Sequence, residues 1–473
     1  MTNKTIKADL CIIGAGSGGL SVAAGASQLG RKVVLFEEGE MGGDCLNTGC
    51  VPSKALIAAA SRAHAMRNAA KFGVAAVDPQ IDFPAVMGHV HSVIATIAPI
   101  DSQERFEGLG VTVIRAHAAF TGPRTLEGGG VTVKAKHIIV ATGSRPFVPP
   151  IPGLQDVPFL TNESIFENRT RPDHLLVIGG GPIGVEMAQA HRRLGSAVTL
   201  IEAGDQILSK DDPELVKVVR EQLEADGVRI VTNAKVSKAG GETGAITLRA
   251  GDEDIKGSHL LVAVGRAPTV DGLNLEAAGV EYDKTGIKVD DALRTTNSRV
   301  YAMGDVAGGR QFTHVAGYHA TVLITKILFK SPFASNKEHL APWVTYCDPE
   351  LAHVGLTEQQ AREQHSDAKV VRWSADENDR AQSERDTRGF AKIITDKKGK
   401  VLGASIVGAQ AGELIQVWAL AIANGEKIRA FTNMIAPYPT RGEINKRAAG
   451  QYYTPTLFSA KTKRLVSVLA MFD

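Results

Sequence analysis

The sequence predicts an α/β fold with two dinucleotide-binding units and a C-terminal α+β part. Two glycine fingerprints, each set between a strand and a helix, are the first observation. Two further strand-to-glycine turns, which bracket the later fingerprint, are the second. Alternating apolar stretches late in the chain, with no further fingerprint, are the third.

The first unit runs from Ala8 to Glu37. An apolar strand leads into Gly14-Ala15-Gly16-Ser17-Gly18-Gly19, then a small-residue helix, then Lys32-Val33-Val34-Leu35-Phe36-Glu37. Gly14, Gly16 and Gly19 allow a tight turn and close backbone approach. The helix N-terminus then meets a pyrophosphate, and Glu37 can hold a ribose hydroxyl. The glycine spacing alone is a weak signal. The strand before it, the helix after it and the acid near the expected distance make it specific.

The second unit repeats the pattern. His174 to Ile178 reads as a strand, Gly179-Gly180-Gly181-Pro182-Ile183-Gly184 as the turn, and Ala197 to Glu202 as the second strand. Gly179, Gly181 and Gly184 hold the fingerprint positions. Two Rossmann-like units imply two dinucleotides. Glu202 bears on the second: a carboxylate there accepts ribose hydroxyls and repels a 2′-phosphate. Ala203, Gly204 and Asp205 follow it, with no Arg. NAD(H) is therefore expected, and NADPH is disfavoured.

Ile138-Ile139-Val140-Ala141-Thr142-Gly143 reads as a strand entering a glycine turn, and Leu261 to Val264 enters Gly265 and Arg266 the same way; Thr142, Gly143, Gly265 and Arg266 are expected to contact cofactor. Val300 to Met303 then reads as a return strand reaching Gly304 and Asp305, which could bind a ribityl or ribose group. The expected division is residues 1–150, an insertion at 151–270, a central part at 271–343 and a last domain at 344–473. Gly389 to Thr395 and Val401 to Val407 alternate as in an antiparallel sheet.

Cys45 and Cys50 lie in Gly42-Gly43-Asp44-Cys45-Leu46-Asn47-Thr48-Gly49-Cys50-Val51-Pro52-Ser53-Lys54. Five residues of ideal helix rise about 7.5 Å, and a disulfide needs Cα atoms roughly 4.4–6.8 Å apart. The segment must therefore bend, which Gly49 and Pro52 permit. Two buried structural thiols are one reading. Placement after a dinucleotide fingerprint favours a redox-active disulfide.

The composition bounds the rest. The chain has 473 residues, enough for about three domains. Net charge is +2, from 53 basic and 51 acidic residues, with no basic tract that suggests nucleic acid. No apolar run approaches the ~20 residues of a membrane span, so a membrane is not an expected partner. No signal peptide is expected before the first strand. Four cysteines suit a cytoplasmic protein with catalytic thiols better than a secreted scaffold. Cys11 lies inside the first strand and Cys347 is isolated; neither is given a role. No resident metal site is expected.

Together these residues resemble the pyridine nucleotide–disulfide oxidoreductase family, which includes dihydrolipoamide dehydrogenases, glutathione reductases and mercuric reductases. The match spans essentially the whole chain, and its most specific element is GGDCLNTGCVPSK, close to the family's GGTCLNxGCxPSK. The resemblance implies an FAD domain, an inserted NAD(P) domain, a central domain completing the FAD site and a C-terminal dimerisation domain in a homodimer. It implies that Cys45 is the interchange thiol and Cys50 the charge-transfer thiol against the flavin. Lys54 would sit near flavin N5 and pair with Glu186. Gly43, Gly304 and Asp305 would belong to the FAD site. Electrons would pass from NADH through FAD to the Cys45–Cys50 disulfide and on to an acceptor.

One position departs from the pattern. Disulfide-reducing members carry HPTxxE near the C-terminus, its His reaching the partner subunit's thiols and its Glu orienting that His. Here the run is Tyr438-Pro439-Thr440-Arg441-Gly442-Glu443. A free Tyr has a pKa of about 10 against about 6.5 for His, which is a ~4 kcal/mol handicap for a base at neutral pH. Mercuric reductases also carry Tyr there, but the resemblance to them implies a C-terminal cysteine pair and an N-terminal metal-capture domain, and neither is expected here. The resemblance thus implies a reductase of a small or protein-borne disulfide. The alternatives are a soft-metal reductase, a dihydrolipoamide dehydrogenase with another proton donor, and a flavin redox sensor that does not turn over.

Past Glu443 the tail carries Leu457, Phe458, Leu465, Val466, Val468, Leu469, Met471 and Phe472, with Lys461, Lys463 and Arg464 between the two groups. A short amphipathic helix is expected from Thr462, seated in a groove of the dimerisation domain, with membrane or protein docking as the other choice.

Overall fold

The computed structural model describes residues 4–472. Strand Lys4–Ile13 lies in the middle of a seven-stranded sheet, parallel to Val33–Phe36 on one side and Val131–Val140 on the other. Leu10 to Ile13 and Val33 to Phe36 are buried on both faces. That is why both strands read as unbroken apolar runs rather than alternations. Strand Val300–Ala302 returns to this sheet and pairs parallel with Val131–Val140, as the sequence indicates.

A second parallel sheet is ordered Val228–Val231, Ala197–Ile201, His174–Ile178, His259–Val262, Phe159–Leu160. Strands Ser144–Pro146 and Arg266–Pro268 pair antiparallel. The chain therefore leaves the first sheet and returns to it side by side, with the second sheet built between. The last part holds five antiparallel strands, among them Phe390–Thr395 beside Val401–Gly408. Its core is closed by Trp418, stacked on Phe431 at 3.7 Å and donating from Nε1 to Asn445 Oδ1 at 2.7 Å.

Buried charges fasten these parts together. Lys392, 2% exposed, sits between Asp212 (2.6 Å), Glu214 (2.8 Å) and Glu358 (2.7 Å). Arg193 bridges Asp226 at 2.7 Å and Asp348 at 2.8 Å. Each joins the inserted sheet's layer to the last domain. Removing one partner would strand the other charge away from water.

Two expectations need correction. The helical stretch Phe83–Gly108 is long and apolar enough to cross a membrane by composition, contrary to the reading that no segment comes near. Its apolarity is spread among His, Ser, Thr and Pro rather than gathered in one run. It packs Phe83, Met87 and Val90 inward, in the core that Leu56 and Val177 share. The tail helix spans Ala460–Leu469, two residues earlier than expected, because the Ser459 hydroxyl caps it by accepting from Thr462 N. None of its residues is buried by this chain.

Gly43 shows how tightly the cysteine loop lies on the first fingerprint. Its φ is +61°, and an added Cβ would fall 2.7 Å from Gly16 Cα. Gly43→Ala should therefore destabilise the fold by about 1–2 kcal/mol and weaken flavin retention. Urea melts and the flavin-to-protein absorbance ratio would check both.

Candidate active site

Helix Gly43–Asn47 stops at Thr48 and a new helix, Cys50–Arg67, starts after Gly49 at φ −126° and ψ −110°. This break supplies the expected bend. An added Cβ on Gly49 would meet Asp44 Oδ2 at 2.8 Å, so the turn closes only on glycine. The two thiols are free and close enough to interact, so that the proton of one bears on the charge of the other.

Their surroundings separate them. The Cys45 hydrogen bond, the Thr313 hydroxyl 3.4 Å away and the Lys54 charge bring Cys50 down to about 6. Donation to Cys50, then burial, push Cys45 far above the usual thiol range. Cys50 is thus the thiolate of the pair at neutral pH, and Cys45 carries the proton. Thr313 opens a fifteen-residue helix, Thr313–Ile327, whose N-terminal partial charge favours the same anion.

Lys54 lies one turn beyond Cys50 on the same helix face. Its Nζ pairs with Glu186 Oε2 at 2.9 Å. Glu186 belongs to helix Pro182–Arg193, which the second fingerprint starts, and its other oxygen accepts from Tyr346 N at 2.9 Å. Lys54 also stands 4.4 Å over the Tyr346 ring. Three parts of the chain therefore meet at one carboxylate.

One continuous cavity of about 2670 Å³ runs from Gly14, Gly16 and Glu37, past Cys45, Cys50 and Lys54, to Gly179, Gly181 and Glu202. Its two ends are built alike. A Cβ on Gly19 would lie 1.9 Å from Gly14 O, and one on Gly184 would lie 1.9 Å from Gly179 O. Those glycines let helix and strand approach. A Cβ on Gly16 or Gly181 would meet nothing within 4 Å. Each leaves a cradle at a helix N-terminus that a pyrophosphate fits. Glu37 accepts from Ala15 N at 2.6 Å and Gly39 N at 2.7 Å. Glu202 accepts from Gly180 N and Gly204 N, both at 2.7 Å. Each carboxylate is thereby fixed at its strand end with lone pairs to spare for ribose hydroxyls.

Near the thiols, Asp305 Oδ2 accepts from Ser144 Oγ at 2.5 Å. Burial raises the Asp305 pKa. Thr142, Gly143, Gly265 and Gly304 line the same stretch. The Thr142 hydroxyl is committed to Thr269 O at 2.6 Å. Arg266, expected to bind cofactor, spends its guanidinium on the protein: Ser144 Oγ and O at 2.7 Å, and Asp44 Oδ1 at 3.3 Å.

Tyr438 and Glu443 do not line the cavity that holds the thiols of their own chain. Glu443 pairs with Arg447 at 3.7 Å, and the Tyr438 hydroxyl donates to Asp379 Oδ2 at 2.9 Å. The carboxylate that orients Tyr438 is therefore Asp379 and not Glu443. This hydrogen bond raises the phenol pKa further. Leu420, Ile435 and Tyr438 are 66%, 94% and 67% exposed, an apolar surface of the kind subunits cover.

Sequence reasoning missed Asp44, Thr313, Tyr346 and Asp379. Asp44 was visible as an acid where the motif has Thr. It accepts from Thr48 Oγ1 and Asn162 Nδ2, both at 2.9 Å, and its charge raises both thiol pKa values. The others gave no sequence signal.

Comparison with known proteins agrees with this geometry. Residues 8–320 match the pyridine nucleotide-disulphide oxidoreductase family and residues 341–449 its dimerisation domain. The chain belongs to that family and is an FAD-dependent flavoprotein oxidoreductase using a pyridine nucleotide; its dimerisation domain supports a homodimer. A mercuric reductase of Streptomyces lividans is 36% identical over 93% of this chain and 95% of that protein. A dihydrolipoyl dehydrogenase of Bacillus subtilis is 32% identical over 92% of this chain and 96% of that protein. The structure of RclA, an HOCl-induced flavoprotein disulfide reductase of Escherichia coli, superposes with a TM-score of 0.84. It shares 28% identity and covers 93% of this chain and 99% of that one. A Cu(II) complex of the same protein gives a TM-score of 0.83 at 28% identity, over 93% of this chain and 98% of that one.

The ordering of the thiols is open to direct test. Alkylation of the reduced protein should be fast at one cysteine, Cys50, and should fall away as pH drops through about 6. Asp44→Thr should shift that profile to lower pH, because a negative charge beside the thiolate is removed. Mass-spectrometric mapping of the alkylated site over pH would show it, and a pH profile unchanged by Asp44→Thr would contradict it.

Proposed function

We propose that the protein is an NADH-linked disulfide reductase that reduces a small or protein-borne disulfide through Cys45 and Cys50. The observation that carries this reading is the thiolate–thiol pair held one helical turn from the Lys54–Glu186 ion pair. In it, FAD sits over Gly14, Gly16, Glu37, Gly43 and Asp305, and NADH over Gly179, Gly181, Gly184 and Glu202. Bound FAD supplies the chemistry of taking a hydride from NADH and passing an electron pair to the disulfide. Lys54 places a cation beside Cys50, which stabilises the thiolate released when the disulfide opens. Cys45, once deprotonated, attacks one sulfur of the acceptor and expels its first thiol. Cys50 then attacks Cys45, which re-forms the Cys45–Cys50 disulfide and releases the second thiol. The pair works in a reducing compartment, the cytoplasm.

The second reading is soft-metal reduction, favoured by the Cu(II) complex of RclA and the mercuric reductase relatives. Two thiols five residues apart offer the donors such an ion prefers.

NADH oxidation measured with lipoamide, glutathione disulfide, Hg²⁺ and Cu²⁺ separates the readings. Lipoamide and glutathione disulfide should turn over slowly at neutral pH, and Tyr438→His should raise the lipoamide rate. Positioned acid–base catalysis is worth about 10²–10⁴-fold, which sets the available gain. Turnover at the level of an ordinary dihydrolipoamide dehydrogenase would overturn the handicap assigned to Tyr438, and absence of NADH oxidation with every disulfide tried would sink the disulfide-reductase reading. Metal-dependent NADH oxidation that needs both cysteines would support the soft-metal reading.

Glu202 and Asp205 should make kcat/KM higher for NADH than for NADPH. A preference for NADPH would remove the assigned role of Glu202. The reduced holoenzyme should show a long-wavelength band from the Cys50 thiolate that Cys50→Ser abolishes and Cys45→Ser keeps.

A further inference from the structure

The family match ends at residue 449, and the chain continues into a helix that rests on nothing in its own fold. Leu465, Val468 and Leu469 follow one another at i, i+3 and i+4, which places them on one side of the helix, and Phe472 follows just past its end. Their exposures are 56%, 46%, 56% and 84%. Phe458, 64% exposed, precedes the helix. Lys463 and Ser467 take the opposite side. Between Glu443 and Asp473 there are five basic residues, Lys446, Arg447, Lys461, Lys463 and Arg464, and no acidic one.

We propose that this tail is a peripheral anchor that docks the dimer on an anionic lipid surface. The Ala460–Leu469 helix has ten residues and is about 15 Å long, half the ~30 Å of a bilayer core. It cannot cross, but it can lie in the interfacial plane with its apolar side down. This departs from the expectation that a membrane is not a partner, which rested on the lack of a spanning run; an in-plane helix needs none. Lys463 and Arg464 then stay among the lipid headgroups, while Lys461, which falls on the apolar side in the first turn, extends its long stem so that its amine reaches them. Unbalanced positive charge suits anionic lipid. It suits tail-on-tail pairing poorly, because two-fold symmetry sets the same patch against itself and brings like charges together. Two tails per dimer would add avidity if both reach the surface at once. The proposal stands whichever electron acceptor the thiols serve.

Flotation of the full-length dimeric holoenzyme with vesicles tests it. The protein should float with vesicles of phosphatidylglycerol and phosphatidylcholine in equal parts, and less as salt rises. It should not float with phosphatidylcholine alone. The double variant Leu465→Glu/Leu469→Glu, and truncation after Tyr453, should each cut vesicle binding by about tenfold or more. Both should keep the dimer and the rate of NADH oxidation in solution. Failure to float with the anionic vesicles would overturn the proposal. So would flotation that neither variant weakens, or equal flotation with phosphatidylcholine alone. Monomers in gel filtration of the double variant would overturn it too, by assigning the face to a second copy of the chain.

Discussion

The Lys54–Glu186 ion pair, at 2.9 Å, is the contact on which the rest of the site depends. Glu186 is buried within the helix of the second fingerprint, while Lys54 comes from the helix that carries Cys50. Tyr346 N, from the beginning of the last domain, closes the same carboxylate. A carboxylate so removed from water must be held by opposite charge and donors. Its position therefore fixes how the inserted sheet sits against the cysteine helix. It also sets where a cation stands relative to the Cys50 thiolate. Lys392 with Asp212 and Arg193 with Asp226 do the same work farther out, so the thiols and both cradles open onto one cavity.

What was legible in the sequence was local. Gly14 to Gly19 and Gly179 to Gly184 fold into turns whose geometry depends on neighbours within a few residues, and Glu37 and Glu202 follow at a fixed distance along the next strand. The bend between Cys45 and Cys50 was likewise forced by helix rise. What escaped was set by contacts distant along the chain. Thr313 meets Cys50 across 263 positions, and Asp379 meets Tyr438 across 59. No periodicity carries such pairings. Asp44 lies between the two cases. As an acid within a known motif it was readable, but its ties to Asn162 and Arg266 needed the fold. The ties of Arg266 to Ser144 and Asp44 were hidden for the same reason, since a basic residue after a glycine turn does not announce a carboxylate brought from another loop.

The tail helix shows the limit from the other side. Its amphipathic spacing was plain, yet periodicity gives a face without saying what covers it. Its first turn was misplaced by two residues because the cap is a hydroxyl on Ser459, outside the apolar pattern. The stretch Phe83–Gly108 is the converse case: apolar enough for a bilayer by composition, it is two successive helices, Phe83–Asp101 and Gln103–Gly108, that turn only Phe83, Met87, Val90 and Phe106 fully inward.

The thiol ordering and Tyr438 together constrain the acceptor. Cys50 holds the negative charge, and Cys45 is protonated because it donates to that thiolate. Attack by Cys45 thus requires removal of a proton that the neighbour stabilises. A His base would take it at neutral pH. Tyr438, its pKa raised by Asp379, donates rather than accepts. An acceptor suited to this site must then ask little of a base. A disulfide with an acidic leaving thiol meets that condition, because its cleavage needs less protonation of the departing sulfur. A soft cation meets it too, since it lowers the pKa of the thiol it binds and displaces the proton itself. Both kinds of acceptor follow from the same two features, a Cys50 thiolate that holds the Cys45 proton in place and a phenol in place of an imidazole.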